Sequence, residues 1–176
     1  MGSKTIKLRL WTPDRKHICL VRDLPELEPL PDGGHKDEGW GMVGGGQKDQ
    51  DLKDYGQEAR KMVGVLQIPE DHLHEIATAI RELGEETGLT PDKITINPKS
   101  RNPEKRGKDH ELIVYDAIYY TDDVSEGLKP NDPKKQIAEV RWVNFMDLID
   151  GEVDGLKIYK THMRIINDEP NPYPAR

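Results

Sequence analysis

Ala79-Ile80-Arg81-Glu82-Leu83-Gly84-Glu85-Glu86-Thr87-Gly88-Leu89 is the stretch on which the reading of this 176-residue chain turns. Helical spacing lines Leu73, Ile76, Ile80, Leu83 and Thr87 along one side, the apolar stripe of an amphipathic helix. At 100° per residue, Glu82, Glu85 and Glu86 fall together on roughly the opposite side. Gly88 supplies the C-cap, since glycine adopts the left-handed conformation cheaply. Three carboxylates at this spacing repel one another, by on the order of 0.2–0.5 kcal/mol per pair. The negative end of the helix dipole adds to that cost. Geometry alone leaves two readings open: a solvated acidic face, which is the commoner, or a cluster of hard oxygen ligands for Mg²⁺ or Mn²⁺.

Upstream, Trp40-Gly41-Met42-Val43-Gly44-Gly45-Gly46 ends in three consecutive glycines. Such a run marks backbone that bends sharply or approaches something closely, a flexible hairpin turn being the plain alternative. Arg81–Leu89 resembles the core of the Nudix box, with every fixed position present. The resemblance extends to Trp40–Gly46, with Val43 where a proline is usual, and weakly to Glu139–Leu148. It implies an α/β/α sandwich around a mixed sheet and hydrolysis of a diphosphate bond in a nucleoside diphosphate derivative. Water would attack phosphorus with the help of Mg²⁺ or Mn²⁺. Carried onto this chain, the resemblance makes Glu82 and Glu86 primary metal ligands, joined by Glu85 and the Gly45 carbonyl. Glu82 or Glu85, held by Arg81, would be the base. A distal-loop carboxylate is also implied, from among Glu126, Asp132 and Glu139, with Glu139 preferred because it adjoins a strand.

The spacing from Gly45 to Arg81 departs from that pattern: about 22 residues are inserted, roughly Gln47 to Glu70. Within them Leu52, Tyr55, Ala59, Met62 and Val63 recur at helical spacing, although Gly56 weakens a helix. The insertion covers the substrate, makes a dimer contact, or is an elaboration without a role. It also displaces the front half of the box, whose glutamate, counted back eight positions from Arg81, would fall on Leu73. Asp71 or Glu75 would substitute. Asp71 is also expected to cap the helix bearing the glutamates.

Composition narrows the rest. One domain spanning 1–176 is the simplest organisation for this length. A mean hydropathy of −0.81 fits a protein with long polar loops. No apolar run approaches the ~18 residues that a membrane span needs, and no leader-like apolar segment opens the chain, so a cytoplasmic setting is expected. The net charge of −7 argues against general nucleic-acid binding, leaving a small nucleotide-type molecule as the expected partner. Cys19, the one cysteine, lies in an apolar run and is expected buried and reduced.

Strands are expected at Thr5–Trp11, Ile18–Val21, Ile94–Ile96, Leu112–Tyr120 and Ala138–Val143, with a last helix over Leu156–Ile166. The basic stretch Pro98–His110 offers Arg101 and Arg106 as grips for a substrate's distal phosphate, or is merely solvated. Three other classes share parts of the pattern, and a structural protein with an acidic helix leaves the Gly44-Gly45-Gly46 run unexplained. A Nudix-like nucleotide-binding or regulatory module would keep the fold but commonly lose box glutamates. An isopentenyl-diphosphate isomerase would need a cysteine in a polar site.

Overall fold

Ile6, Leu8 and Leu10 alternate with Lys7 and Arg9 and are fully buried, so the first strand presents an apolar face to a core. The computed structural model describes residues 2–26, 36–121, 123–124, 128–134, 136–148 and 150–168. Its elements run β1 (Ser3–Trp11), β2 (His17–Asp23), β3 (Gly39–Gly46), α1 (Asp51–Val63), α2 (Glu70–Thr87), β4 (Ile94–Ile96), β5 (Asn102–Lys105), β6 (His110–Tyr119), β7 (Ile137–Asn144), β8 (Glu152–Val153), β9 (Leu156–Lys157) and α3 (Lys160–Asn167). The main sheet runs β4-β6-β1-β3-β2-β7, with β5 also pairing β6. It is mixed: β1 and β6 are parallel, while β3 is antiparallel to both β1 and β2.

Two apolar layers flank the sheet. On one face Ile6, Leu8, Val21 and Val43 meet Ala59 and Val63 of α1 and Leu73, Ile76, Ile80 and Leu83 of α2. On the other, Leu20, Trp40, Met42 and Val114 meet Ile165 and Ile166 of α3. This is the expected α/β/α sandwich, and its fold matches solved structures described below.

The glycine run is not the hairpin turn held as the alternative but the last residues of β3, paired to Thr5–Leu8 of β1. The inserted residues form the helix that their spacing suggests, α1, which packs on α2. Its Gly56 is buried and sits 3.3 Å, as an added Cβ would measure it, from Leu52 Cδ1. Asp71 caps nothing: Pro69 precedes the first turn of α2 with no side-chain cap. The C-terminal helix is shorter than its apolar pattern, because Leu156 and Lys157 pair in the small β8–β9 hairpin.

Candidate active site

The end of β3 is built so that another element can press against it. Gly44 has φ = 134°, a conformation that side chains rarely adopt, and an added Cβ would lie 2.0 Å from the Ile6 carbonyl oxygen. Turned this way, its N–H donates to Glu86 Oε2 at 2.7 Å, while its carbonyl accepts from Lys7 Nζ. Next to it, a Cβ on Gly45 would come within 2.5 Å of Glu82 Oε1. The glycines therefore make room for two carboxylates of α2 to lie directly on the strand. Of the two readings geometry left open, the solvated face does not describe Glu82 and Glu86: both are 8% exposed, lying against Gly45 and Gly44 of β3.

Arg81 ties the cluster together from below. Its Nη1 lies 2.7 Å from Glu82 Oε1 and 2.9 Å from Glu85 Oε2, and Nη2 donates to the Gly46 carbonyl at 2.8 Å. Its Nε donates to Asp51 Oδ1 at 2.6 Å. Asp51, the first residue of α1, is 1% exposed and also accepts from Thr78 Oγ1 and the Lys48 N–H. Asp51 is the carboxylate that holds Arg81, a place taken by neither Asp71 nor Glu75. Asp71 pairs with Lys4 at the surface, and Glu75 is consumed by Lys4, Arg101 and Tyr115. The signal was present in the sequence: six positions forward from Gly45 stands Asp51, so the added residues lie after it rather than from Gln47, whereas counting back from Arg81 crosses them.

The electrostatics show unbalanced negative charge. Burial pushes the Glu86 carboxyl up to about 8, and the carboxylates of Glu82 and Asp23 push the same way. Lys7 and the Gly44 N–H only partly oppose this. Burial also raises Glu82 despite Arg81 beside it. A divalent cation fits this donor set: hard oxygens, two buried carboxylates and an adjacent strand backbone. Among the described residues no three His, Cys, Asp or Glu side chains form a ready-made cluster. Mg²⁺ takes only one or two carboxylates and keeps several waters, so Glu82, Glu86 and a backbone oxygen suffice. The Glu85 side chain, 27% exposed, stands at the rim on Arg81.

These groups form one wall of a cleft of about 800 Å³, a volume that suits a nucleotide-sized molecule. Arg106 lines it; Arg101 does not, because its guanidinium makes two bonds to Glu75. Glu139 also points elsewhere, into ion pairs with Arg22 and Arg141. Asp132 lines the cleft but spends its oxygens on the N–H groups of Lys134, Gln136 and Ile137. Glu126 lies outside the described residues. One lining residue had no sequence signal at all: His162 of α3, whose Nδ1 accepts from the Met42 N–H at 3.0 Å. Burial, with Lys7, Lys36 and Arg106 around it, pulls its pKa down to about 3. Cys19 is fully buried in β2 and its thiol is pushed far up by burial, so the cysteine chemistry of an isomerase has no place here.

The fold is shared with solved NUDIX and MutT structures. A NUDIX hydrolase from Alicyclobacillus acidocaldarius superposes with a TM-score of 0.59 at 13% identity, covering 94% of this chain and 90% of that one. A NUDIX-family hydrolase from Clostridium perfringens gives 0.54 at 15% identity, covering 94% of each chain. A MutT protein from Methanosarcina mazei Go1 gives 0.52 at 16%, covering 93% and 88%. Comparison with curated protein sequences gave no significant match. The NUDIX domain model matches residues 57–162, more than half of the chain, and the chain belongs to the Nudix hydrolase family.

Proposed function

We propose that this protein cleaves the diphosphate linkage of a nucleoside diphosphate derivative, using Mg²⁺ or Mn²⁺, by attack of water on phosphorus. The observation that carries the reading is the buried Glu86 carboxyl, held on the Gly44 N–H beside Glu82 with no cationic partner of its own within ion-pair distance among the described residues. A buried carboxyl in that state is costly unless a cation completes it. Nudix hydrolases generally use a divalent metal. Bound here, such an ion neutralises phosphoryl oxygens and lowers the pKa of the attacking water.

The chain's own groups do the rest. Glu82 and Glu86, with the Gly45 carbonyl, hold the ion, and Glu85 joins them from the rim. Arg81 fixes Glu82 and Glu85 through one guanidinium nitrogen, so either takes the water's proton from a set position. Asp51 holds Arg81. The cleft accepts a small nucleotide-type substrate, and no helix among the described residues is long and apolar enough to cross a membrane.

Phosphate release from a panel of nucleotides with Mg²⁺ tests the proposal, with Glu82→Gln and Glu85→Gln compared by pH–rate profile to find the base. Turnover that survives chelation of divalent ions, or none on any diphosphate derivative, overturns it.

A further inference from the structure

β1 and β3 separate beyond Leu8, and the gap between them is filled from the far end of the chain. β1 pairs β3 from Thr5 to Leu8 and then turns to β2 at Trp11. The edge of β3 that it leaves, at Trp40 and Met42, is taken by Ile158 and the residues after it. The Tyr159 N–H donates to the Trp40 carbonyl at 3.0 Å, and the Met42 N–H donates to His162 Nδ1 at 3.0 Å. A Cβ on Gly41 would meet that ring at 2.6 Å, so the glycine is what admits it. Tyr159, Thr161 and His162 thereby become part of the cleft lining.

α3 depends on its seat. With eight residues it is too short to be stable as an isolated helix, and of its side chains Ile165 and Ile166 are the buried ones. Its C-terminal end rests on Arg9. This side chain is 8% exposed and stands directly opposite Asp116 in the β1–β6 pairing. Nε and Nη2 donate to the two Asp116 oxygens, Nη2 at 2.8 Å. Nη1 donates to the carbonyls of Ile165 and Asp168, both at 2.9 Å. A guanidinium at a helix C-terminus serves the terminal carbonyls and opposes the negative end of the dipole. The buried Asp116 fixes the plane of the fork, so the bonds to α3 have one direction. The catalytic helix lies on the other face of the sheet: α2 packs in the layer with Ile6 and Leu8, α3 in the layer with Trp40 and Met42.

We infer that Arg9 is a positioning residue for substrate binding: braced by Asp116, it fixes the end of α3 and, through α3, the places of Tyr159, Thr161 and His162 in the cleft. This rests on the hydrolase reading of that cleft. Because α2 and its carboxylates are on the opposite face, losing the clamp weakens substrate binding and leaves the chemical step alone. Interactions lost equally from the ground and transition states raise KM and spare kcat.

The test removes the clamp without stranding a charge. Arg9→Met combined with Asp116→Leu replaces both partners together, a change that buried ion pairs often tolerate without loss of stability. KM for the nucleoside diphosphate derivative that wild type turns over fastest rises about tenfold or more, and kcat moves less than about twofold. In EDTA and without substrate, amide exchange at Met42 speeds about tenfold or more, while the β2–β7 amides keep their protection. Arg9→Lys keeps a charge for Asp116 but has one nitrogen where Arg9 uses three, so it recovers melting temperature and not KM. A folded double variant with KM within about twofold of wild type, or with unchanged Met42 exchange, overturns the inference. So does a KM that simply follows melting temperature across the two variants. If the double variant does not fold, KM and Met42 exchange in Arg9→Lys decide by the same criteria. Absence of turnover in wild type overturns the hydrolase reading, and Met42 exchange in EDTA then decides whether Arg9 positions α3.

Discussion

Replacing Asp51 by asparagine separates the role of α1 in the site from its role in the core. The side chain keeps its shape and its acceptor for Thr78 or Lys48, but the charge facing Arg81 Nε is lost. Both residues are buried, Asp51 at 1% and Arg81 at 6% exposure. Removing one partner of such a pair costs about 3–5 kcal/mol, chiefly because a buried charge is left uncompensated. Arg81 retains Glu82 and Glu85, which argues for the lower end, about 3 kcal/mol. For a chain of this size that is a fall in Tm of roughly 6–12 °C. Thermal and urea unfolding measure it, and kcat falls with KM little changed, because Arg81 now shifts away from Asp51 and carries Glu82 and Glu85 with it. Asp71→Asn is the control: its side chain is 65% exposed, and such a change is worth within about 0.5 kcal/mol. An Asp51→Asn protein that melts within 2 °C of wild type, by the same measure, and turns over normally would refute the assignment.

Three more outcomes follow from the same geometry. Glu86→Gln lowers turnover by orders of magnitude while the protein melts at or above the wild-type temperature, since the buried carboxyl held near 8 no longer has to be accommodated; steady-state kinetics and a thermal scan check both halves. Gly45→Ala drives a methyl group to 2.5 Å from Glu82 Oε1, so metal affinity and kcat drop together, read by Mn²⁺ titration and phosphate release. Burial opposes Glu75's ionisation, but bonds from Arg101, Lys4 and Tyr115 prevail and hold its carboxyl at about 2. Its folded pKa lies below the unfolded 4.5, so its contribution, about 3 kcal/mol at most, is complete above pH 4.5 and lost as pH falls toward 2. Urea midpoints for wild type against Glu75→Gln between pH 2 and 6 show the difference closing over that window.

How much of this was legible in the sequence varies with the range of the interaction. Strand β1 follows from local alternation, β6 from a continuous apolar run, and the helix of the insertion from Ala59 and Val63 at helical spacing. Burial of Glu82 and Glu86 could not be read that way, because it depends on the seat of α2 against the glycines at the end of β3. Arg101 and Arg106 look alike in a basic stretch, yet one is spent on Glu75 and the other reaches the cleft, a distinction set by the register of β5 on β6. Glu139 faces Arg22 because β7 pairs β2 in that register. His162 comes from the far end of the chain, and only the close seat of α3 against Gly41 brings it in. Asp51 was hidden by the insertion.

The proposed hydrolysis depends on a divalent ion seated by Glu82 and Glu86 against the backbone at Gly45. Anomalous scattering from a crystal soaked in Mn²⁺ is the most direct measurement. The account predicts a peak within bonding distance of both carboxylates and a backbone oxygen of the glycine run, absent in Glu86→Gln. A soaked crystal with no peak there, or with manganese bound only elsewhere on the molecule, would contradict it.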